Sequence, residues 1–348
     1  PFLPLEAAGE PSALEEELIL QGARTVQDEM VKVAENVRPC SVTVMNQVKR
    51  GGAFVTAGGG SGVVIRSGGL VLTNEHVVAG ADRLEVILLD GRRYEATVES
   101  RVKGYDVALL QIKDPKGKPV RGLKAAVFAS SAGIHPGRWV LATGNPFFLA
   151  SSGRAVATLG VISGTDRIAP GEYLYGKAIQ HDAEINPGNS GGPLWDVQGR
   201  LLGLNGKIST RAAGSPSSSG VGFTIPIEQI RNFLPDLLEE GSTAVEPGDL
   251  GVLAETALDA KGAEAGARIL QVRPGTAAEK ARMRTGDVLL SITLKLKTHP
   301  VKTATDLTNF LALWPEGTRL DTVKARRDGK SVTFSGLVLG KRPEAPKP

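Results

Sequence analysis

A serine in a glycine-rich loop is the residue of this sequence best suited to nucleophilic chemistry. Ser190 lies in the run 186–193, which reads NPGNSGGP and is flanked by apolar segments. Small neighbours leave the hydroxyl accessible, and the N–H groups of a tight loop can converge on an oxygen that becomes negative during attack. The same run is also typical of a plain turn between two strands. The choice depends on whether a base and an orienting acid occur elsewhere in the chain.

Two residues could complete a catalytic triad with Ser190. His76, one of four histidines, follows the strand-like run LVLT, and Asp106 opens the apolar run DVALLQI. A carboxylate that leads into such a run tends to be partly buried and then needs a donor, for which an imidazole N–H is suitable. Each residue alone is more often structural. Their order along the chain is nevertheless the order found in chymotrypsin-type proteases.

The elements that must position these residues are mainly β-strands. Between residues 39 and 225, about twelve short runs of β-branched residues alternate with glycine-containing turns, a pattern that favours a closed or doubled β-barrel over a doubly wound sheet. The segment 113–136 is a candidate connection between two barrels. Residues 226–240 are predicted to form a helix that closes a main domain of residues 39–240.

Further segments flank this main domain. Residues 1–38 are predicted to be a helical N-terminal extension with Gly22 as a candidate break, because four apolar residues recur at helical spacing: Val26, Met30, Val33 and Val37. Residues 241–248 indicate a linker, residues 249–342 a second, smaller unit, and residues 343–348 a tail. The length of 348 residues agrees with two domains.

Composition excludes several classes of function. The single cysteine, Cys40, permits neither an internal disulfide nor a Cys-based metal site, and its apolar surroundings are typical of a buried thiol. The net charge is +4, but the basic residues of the C-terminal part are scattered without aromatic neighbours, which favours a solvated face over a nucleic-acid site. No apolar run reaches the roughly 20 residues of a membrane span. No nucleotide-binding loop or metal-ligand cluster occurs, so no cofactor and no metal are expected.

Seven motifs over residues 37–230 resemble, in the same order, those of the Deg/HtrA family of trypsin-like serine proteases. They are GSGVVI at 60–65, TNEHVV at 73–78, DVALL at 106–110, GNP at 144–146, GVIS at 160–163, the loop 182–194 and GFTIP at 222–226. Residues 249–340 resemble the PDZ domain that usually follows. The resemblance implies a mainly β fold: a chymotrypsin/trypsin-like double β-barrel followed by a smaller α+β PDZ domain.

The resemblance assigns a role to each residue of the site. Ser190 is the expected nucleophile, His76 the general base and then acid, and Asp106 the residue that orients the imidazole. Backbone N–H groups of Gly188, Asn189 and Ser190 are expected to form or support the oxyanion hole. Two segments are expected to supply the substrate pocket, with the residues Glu184, Ile185, Leu204, Asn205 and Gly206.

Two positions depart from the family pattern. Glu184 stands six residues before Ser190, where family members often have a small residue, and in the trypsin-like fold this position lies near the floor of the S1 pocket. Glu184 could admit a basic P1 residue there. The alternative, which we favour, is that Glu184 turns outward and that P1 is small and aliphatic. His181 stands where a threonine is common, and we interpret it as a surface or strand variation.

In the second unit, four residues stand where PDZ domains bind a C-terminal carboxylate: Leu250, Gly251, Val252 and Leu253. A peptide C-terminus could add there as an extra strand, with the helix around 305–313 as the other wall. Leu250 and Val252 could equally be core residues of a strand. Residues 293–298 replace the usual tight Asn-Gly turn.

The leading hypothesis is an ATP-independent serine endopeptidase that acts on unfolded or damaged proteins and is tuned by one PDZ domain. The alternative is a chaperone-like or peptide-binding scaffold with latent proteolysis. A scaffold of two PDZ-like modules is excluded by the many strands of residues 39–225. The resemblance also implies a homotrimer or larger assembly in the bacterial periplasm or cell envelope. The sequence shows no secretory signal and begins at Pro1, which suggests a mature or trimmed form.

Overall fold

The computed structural model describes residues 13–130, 133–146, 155–169, 173–210, 218–239 and 244–342. Residues 1–12, the predicted tail and the first three residues of the predicted linker lie outside these ranges. The described residues form two β-barrels, a smaller α+β unit and a long N-terminal helix. The predicted fold class, a mainly β double barrel followed by a smaller α+β unit, is confirmed.

Six antiparallel strands close the first barrel. They are β1 (Ser41–Arg50), β2 (Ala53–Arg66), β3 (Leu70–Thr73), β4 (Arg83–Ile87), β5 (Arg93–Val102) and β6 (Val107–Lys113). Around the barrel they follow the order β1-β2-β3-β6-β5-β4. Val42 and Val44 of β1 fill the interior. Because strand side chains alternate between faces, Ser41 points the other way, where its hydroxyl lies 2.7 Å from that of Thr143 in the second barrel.

The second barrel is also a closed ring of six strands. Its strands and one additional short strand are β7 (Val127–Phe128), β8 (Trp139–Gly144), β9 (Val156–Arg167), β10 (Ala178–His181), β11 (Pro193–Asp196), β12 (Arg200–Thr210) and β13 (Ser218–Pro226). β11 pairs with both β8 and β12, which closes the ring, and β7 adds to β12 in parallel. The segment 113–136 runs from the end of β6 toward β8, so it connects the two barrels as predicted.

The helices differ in one respect from the sequence prediction. α1 (Ala13–Val37) is continuous, so the predicted break at Gly22 is wrong. Glycine costs a helix interior only about 1 kcal/mol relative to alanine, which the neighbouring turns can offset. α2 (Glu75–Val78) is a single turn, and α3 (Ile227–Leu237) begins after Pro226 as expected. Within the described residues, no helix is long and apolar enough to cross a membrane.

The C-terminal unit is a twisted sheet with two short helices. Its elements are β14 (Gly248–Asp249), β15 (Val252–Leu258), β16 (Glu264–Val272), α4 (Ala277–Lys280), β17 (Val288–Leu294), β18 (Lys297–Pro300), α5 (Ala304–Leu311), β19 (Arg319–Arg327), β20 (Lys330–Val338) and β21 (Gly340–Lys341). The main sheet has the order β15-β16-β17-β19-β20, which leaves β15 at one edge. Lys295 and Leu296 form the β17–β18 turn, and both have positive φ without being glycine.

One hydrophobic cluster joins the two barrels, α1 and α3. Val37 of α1, Leu72 and Leu109 of the first barrel, Trp195 of the second and Phe233 of α3 all belong to it. Burial of these large side chains supplies the main force that holds the barrels together, at about 1.5–3 kcal/mol for each aliphatic or aromatic residue. This cluster holds the two barrels against each other, which matters because the candidate site draws residues from both.

The C-terminal unit is docked on the barrels through helix α5. Asn309 is buried, and its side-chain amide donates to the Asp166 carbonyl at 2.8 Å and accepts from the Lys177 N–H at 2.8 Å. Asp166 and Lys177 both adopt left-handed backbone conformations. From α3, Asn232 donates to the Leu313 carbonyl at 3.0 Å. Thus α5 contacts both ends of the segment that precedes β10.

Candidate active site

His76 and Asp106 are brought together by two neighbouring strands of the first barrel. β3 and β6 pair Thr73 with Ala108, so the residues just beyond this pair lie side by side. His76 Nδ1 lies 2.8 Å from Asp106 Oδ1 and 2.9 Å from Oδ2, and the backbone N–H of His76 donates to Oδ1 at 3.0 Å. The Asn74 side-chain amide donates to the Asp106 carbonyl at 2.9 Å. These bonds fix both residues.

The protonation of the imidazole follows from this geometry. An ionised carboxylate can only accept hydrogen bonds, so Nδ1 of His76 must carry the proton that Asp106 accepts. Nε2 is then the basic nitrogen. The side chain of Asp106 is 0% exposed, whereas that of His76 is 36% exposed, so the imidazole is the member of the pair that can meet a substrate. The predicted partial burial of Asp106 is in fact complete.

Ser190 lies on a loop held between the two barrels. Its carbonyl accepts the N–H of Ser61 in β2 at 2.7 Å, and the N–H of Gly191 donates to the Asn205 carbonyl in β12 at 2.7 Å. Gly191 has φ +80°, and a Cβ there would lie 2.3 Å from the Ser61 carbonyl oxygen. Only glycine fits this position. The loop therefore places Ser190 at the cleft and leaves it partly exposed.

The Ser190 hydroxyl points to its own barrel in this structure. Oγ donates to the Gly206 carbonyl at 3.3 Å, and within the described part of the chain it makes no hydrogen bond to His76. Catalytic hydrogen bonds are often long or absent before substrate binds. Proton transfer to Nε2 of His76 requires the hydroxyl to turn away from Gly206.

Two backbone N–H groups of the loop are candidates to bind an oxyanion. The Asn189 N–H is not one of them, because it donates to the Asn186 carbonyl at 3.0 Å and so supports the turn. The Gly188 carbonyl accepts from the Ser61 hydroxyl at 2.6 Å. Among the described residues, the N–H groups of Gly188 and Ser190 have no acceptor. Unpaired buried N–H groups are rare in proteins, and a catalytic role is one explanation for them.

Comparisons with known proteins agree with this geometry. A family model of the trypsin-like peptidase domain matches residues 60–204, which include His76, Asp106 and Ser190. The solved structure of the HtrA-type protease AlgW with a tripeptide superposes with a TM-score of 0.72 at 31% identity, over 90% of this chain and 97% of that chain. The chain belongs to the Deg/HtrA family of trypsin-like serine proteases.

Two curated relatives show the same membership. The periplasmic serine endoprotease DegP of Escherichia coli (strain K12) is 36% identical over 284 residues, which are 79% of this chain and 56% of the relative. The probable periplasmic serine endoprotease DegP-like of Marinomonas sp. (strain MWYL1) is 35% identical over 295 residues, which are 83% of this chain and 58% of the relative. The chain therefore spans little more than half the length of these curated relatives.

The residues predicted to line the substrate pocket of this Deg/HtrA protein occupy different depths. Ile185 and Leu204 are buried in hydrophobic clusters, and Asn205 is buried as well. Gly206 is partly exposed beside the Ser190 hydroxyl. Glu184 is exposed, and its carboxylate accepts from the Asn186 side-chain amide at 2.8 Å. Of these five residues, Gly206 is therefore the one seen in contact with the nucleophile.

Of the two interpretations of His181, the strand position is confirmed, because His181 is the last residue of β10, and the surface position is wrong, because its side chain is 0% exposed. The Thr224 hydroxyl donates to Asn205 Oδ1 at 2.7 Å and therefore accepts from Nε2 of His181 at 3.0 Å. Nδ1 is buried and has no partner among the described residues. Burial lowers the pKa of His181 to about 4, so the ring is neutral in the folded protein.

The four residues predicted at the peptide-binding position form a loop and the start of β15. Leu250 is buried in the core of the C-terminal unit, which supports the core interpretation for this residue. Gly251 has φ +90°, and a Cβ there would lie 2.1 Å from Thr276. Val252 is partly buried, whereas Leu253 on the edge strand is 54% exposed. Leu253 is thus the member of the set that faces solvent.

Sequence reasoning missed one residue that contacts the predicted triad. The Tyr175 hydroxyl donates to Asp106 Oδ2 at 2.6 Å from the segment before β10. In the same segment, the ring of Tyr173 lies 6.2 Å from the His76 ring between centroids. No local pattern distinguishes these tyrosines from ordinary core residues, because their contacts join positions about 70 to 100 residues apart in the chain.

The buried neutral His181 predicts a specific acid sensitivity. The unfolded chain binds a proton near pH 6.5, whereas the folded protein binds it only near pH 4, so stability is lost as the pH falls through this window. At pH 5 the loss is on the order of 2 kcal/mol relative to pH 8. We expect His181→Gln to remove this part of the pH dependence in urea unfolding at the two pH values.

The matched control is His135→Gln, which removes an exposed histidine. It should retain the wild-type difference between pH 8 and pH 5. Equal pH dependence in the wild type and in His181→Gln would contradict the assignment of a neutral buried imidazole.

Proposed function

We propose that this chain is an ATP-independent serine endopeptidase that hydrolyses peptide bonds of unfolded or damaged proteins through Ser190, His76 and Asp106. The observation that carries the proposal is the double contact of the buried Asp106 carboxylate with Nδ1 of His76, beside a loop that presents Ser190. Family membership supports the reaction class, since the curated relatives are named serine endoproteases.

The proposed reaction begins when the Ser190 hydroxyl attacks the carbonyl carbon of the scissile bond. Nε2 of His76 accepts the hydroxyl proton, and Asp106 stabilises the imidazolium through Nδ1. The N–H groups of Gly188 and Ser190 stabilise the oxyanion, and one such donor commonly contributes about 10²–10³-fold to the rate. His76 then gives its proton to the leaving amine, which leaves an acyl-enzyme on Ser190. A water molecule, deprotonated by His76, hydrolyses the ester.

For specificity, we propose a small aliphatic residue at P1. The Glu184 carboxylate is exposed and bound to Asn186, so its charge is solvated rather than enclosed. A basic P1 side chain would gain little from an exposed carboxylate, because solvent screens such ion pairs to about 0–1 kcal/mol. Ile185 behind the pocket provides an apolar surface instead.

The C-terminal unit is proposed to be a PDZ domain that binds peptide C-termini, for regulation or substrate capture. β15 is an edge strand whose Leu253 side chain is exposed, and α5 packs beside it. An extended peptide could therefore pair with β15 while α5 forms the opposite wall. Two relatives of known structure are described as containing a tripeptide and a decapeptide.

A second candidate function is a chaperone-like or peptide-binding scaffold with latent proteolysis. The observation that favours it is the Ser190 hydroxyl, which donates to Gly206 and not to His76. In this candidate, the resting protein binds unfolded chains and cleaves them only after the hydroxyl turns. The intact triad favours the endopeptidase as the principal function.

We propose the location and the assembly of the protein from its relatives and from the exposed side chains of α1. The relatives are named periplasmic, which supports a periplasmic or cell-envelope location. A homotrimer or larger assembly is expected from the family. Most described residues of α1 before Val33 are exposed, including Leu20, Val26 and Val31, so this helix could contribute to contacts between subunits.

The proposed triad is tested by casein cleavage with the wild type and Ser190→Ala. We expect the variant to lose activity by about 10³-fold or more, because no other hydroxyl occupies the nucleophile position. Ser331→Ala in β20 changes an exposed serine and should leave the rate unchanged. Equal rates for the wild type and Ser190→Ala would end the protease proposal. Casein kept soluble without cleavage would instead favour the scaffold.

Mass spectrometry of the same digests tests the P1 proposal. Cuts should follow Val, Ala or Ile. Cuts mainly after Lys or Arg, reduced in Glu184→Gln, would show that Glu184 selects a basic P1 residue.

Helix α5 offers a route by which a bound peptide could affect the site. Asn309 holds Asp166 and Lys177, which flank the segment carrying Tyr173 and Tyr175. We expect fluorescein-labelled decapeptides with a free C-terminal Val, Leu or Phe to bind, and to change the hydrolysis rate by about fivefold or more. Asn309→Ala should retain peptide affinity, measured by anisotropy, and lose most of the rate response.

Asn232→Ala is the matched control. It also removes a side-chain amide that bridges the two units, but the contact is to Leu313 and not to the segment before β10. Its rate response should remain that of the wild type. Amidated peptides that bind as well as free-acid peptides would contradict recognition of a C-terminal carboxylate.

A further inference from the structure

Tyr175 is a fully buried residue whose hydroxyl reaches the catalytic carboxylate from the other barrel. Its side chain is 0% exposed, and its hydroxyl donates to Asp106 Oδ2 at 2.6 Å. Asp106 belongs to the first barrel, whereas Tyr175 precedes β10 of the second. The bond therefore joins the two barrels beside the candidate triad. It reaches Oδ2 of Asp106, whereas the His76 backbone N–H donates to Oδ1.

The donors to Asp106 show what this hydroxyl contributes. Oδ1 accepts from the backbone N–H and from Nδ1 of His76, while Oδ2 shares Nδ1 at 2.9 Å and accepts from Tyr175. Without the phenol, the sole donor left to Oδ2 among the described residues would be the Nδ1–H of His76, which Oδ1 also accepts. Leaving a buried carboxylate oxygen with too few donors costs free energy, and the carboxylate group is then free to rotate to another conformation. Burial raises the pKa of Tyr175 well above 10, so the phenol remains a donor at any working pH.

The Tyr175 hydroxyl occupies space that a side chain at position 206 would otherwise fill. A Cβ at Gly206 would lie 2.1 Å from the Tyr175 hydroxyl oxygen. Gly206 does not have a positive φ, so its backbone conformation alone would accept other residues. The carbonyl of this same glycine accepts the Ser190 hydroxyl. Gly206 thus leaves room for the Tyr175–Asp106 bond immediately beside the nucleophile.

We propose that Tyr175 is a positioning residue for catalysis, which holds the Asp106 carboxylate in the plane that His76 requires and limits the charge that Asp106 presents to the imidazole. This inference rests on the proposed triad. A hydrogen bond to a carboxylate stabilises its negative charge, so loss of the phenol leaves Asp106 a stronger partner for an imidazolium. Asp106 then stabilises the protonated imidazole of His76 more strongly, while substrate contacts stay unchanged.

The test compares Tyr175→Phe with Tyr105→Phe by steady-state kinetics on a peptide substrate over a range of pH. In Tyr175→Phe we expect kcat to fall about tenfold or more, which corresponds to loss of one hydrogen bond to a charged group. KM should change less than twofold. The acidic limb of the kcat/KM profile should move to higher pH by about half a unit or more, because Asp106 stabilises the imidazolium more strongly.

Tyr105 provides a closely matched control. It is equally buried and adjacent to Asp106 in sequence, yet its hydroxyl makes no hydrogen bond of normal geometry within the described residues. Burial raises the pKa of Tyr105 to about 12, an effect that the nearby Arg342 guanidinium only partly offsets. Tyr105→Phe should therefore retain the wild-type kcat and acidic limb. If Tyr175→Phe behaves as Tyr105→Phe does, the proposal is overturned.

A second replacement keeps the proposal testable if Tyr175→Phe fails to fold. Site-specific 2,3-difluorotyrosine in place of Tyr175 preserves the ring and makes the hydroxyl a stronger donor. The acidic limb should then move to lower pH, opposite to the shift in Tyr175→Phe, and an unmoved limb would overturn the proposal. Failure of the triad itself would look different, since the wild type would then show no activity that depends on Ser190.

Discussion

The hydrogen bonds to one buried carboxylate are the constraint on which the rest of this structure depends. Asp106 is wholly buried and accepts four contacts, three from His76 and one from Tyr175. Its backbone is held in a left-handed conformation, at φ 59°, and its carbonyl is held by Asn74. Such strain persists only where the surroundings over-determine the conformation, and it is concentrated at functional sites. Both barrels contribute to that over-determination.

The two-barrel architecture turns this local constraint into a site. The first barrel holds Asp106 and His76 beside adjacent strands, and the second holds Ser190 on a loop anchored to Ser61 and Asn205. The cleft can therefore keep its geometry only while the barrels stay together. The shared hydrophobic cluster, to which Trp195 belongs, provides that stability. Helix α5 adds a connection from the C-terminal unit to the segment that carries Tyr175.

The parts of this arrangement that sequence could predict are those with a local signal. The Gly-rich loop around Ser190, the strand before His76 and the apolar run after Asp106 are all short patterns, and their order is the basis of the proposed triad. The double barrel followed from the spacing of strand-like runs. Burial of His181 could not be predicted in this way, because it depends on Thr224 and Asn205 across the barrel.

The same limit explains the other misses. The bond between Tyr175 and Asp106 joins residues 69 positions apart, and the contact between Asn309 and Lys177 joins residues 132 positions apart. Neither pair has a local signature that separates it from an ordinary core tyrosine or helix asparagine. Gly22 does lower the intrinsic stability of a helix, but the long helix around it tolerates one such residue.

The tautomer of His76 tests the central claim most directly. With ¹⁵N-labelled histidine, the four imidazoles can be resolved by NMR, and the His76 signals can be assigned from the spectrum of His76→Gln. At neutral pH we predict a proton on Nδ1 and none on Nε2, because only Nδ1 faces the Asp106 carboxylate. In Asp106→Asn the proton should move to Nε2, since an amide can donate to Nδ1. A wild-type His76 protonated on Nε2, or a tautomer unchanged in Asp106→Asn, would contradict the account.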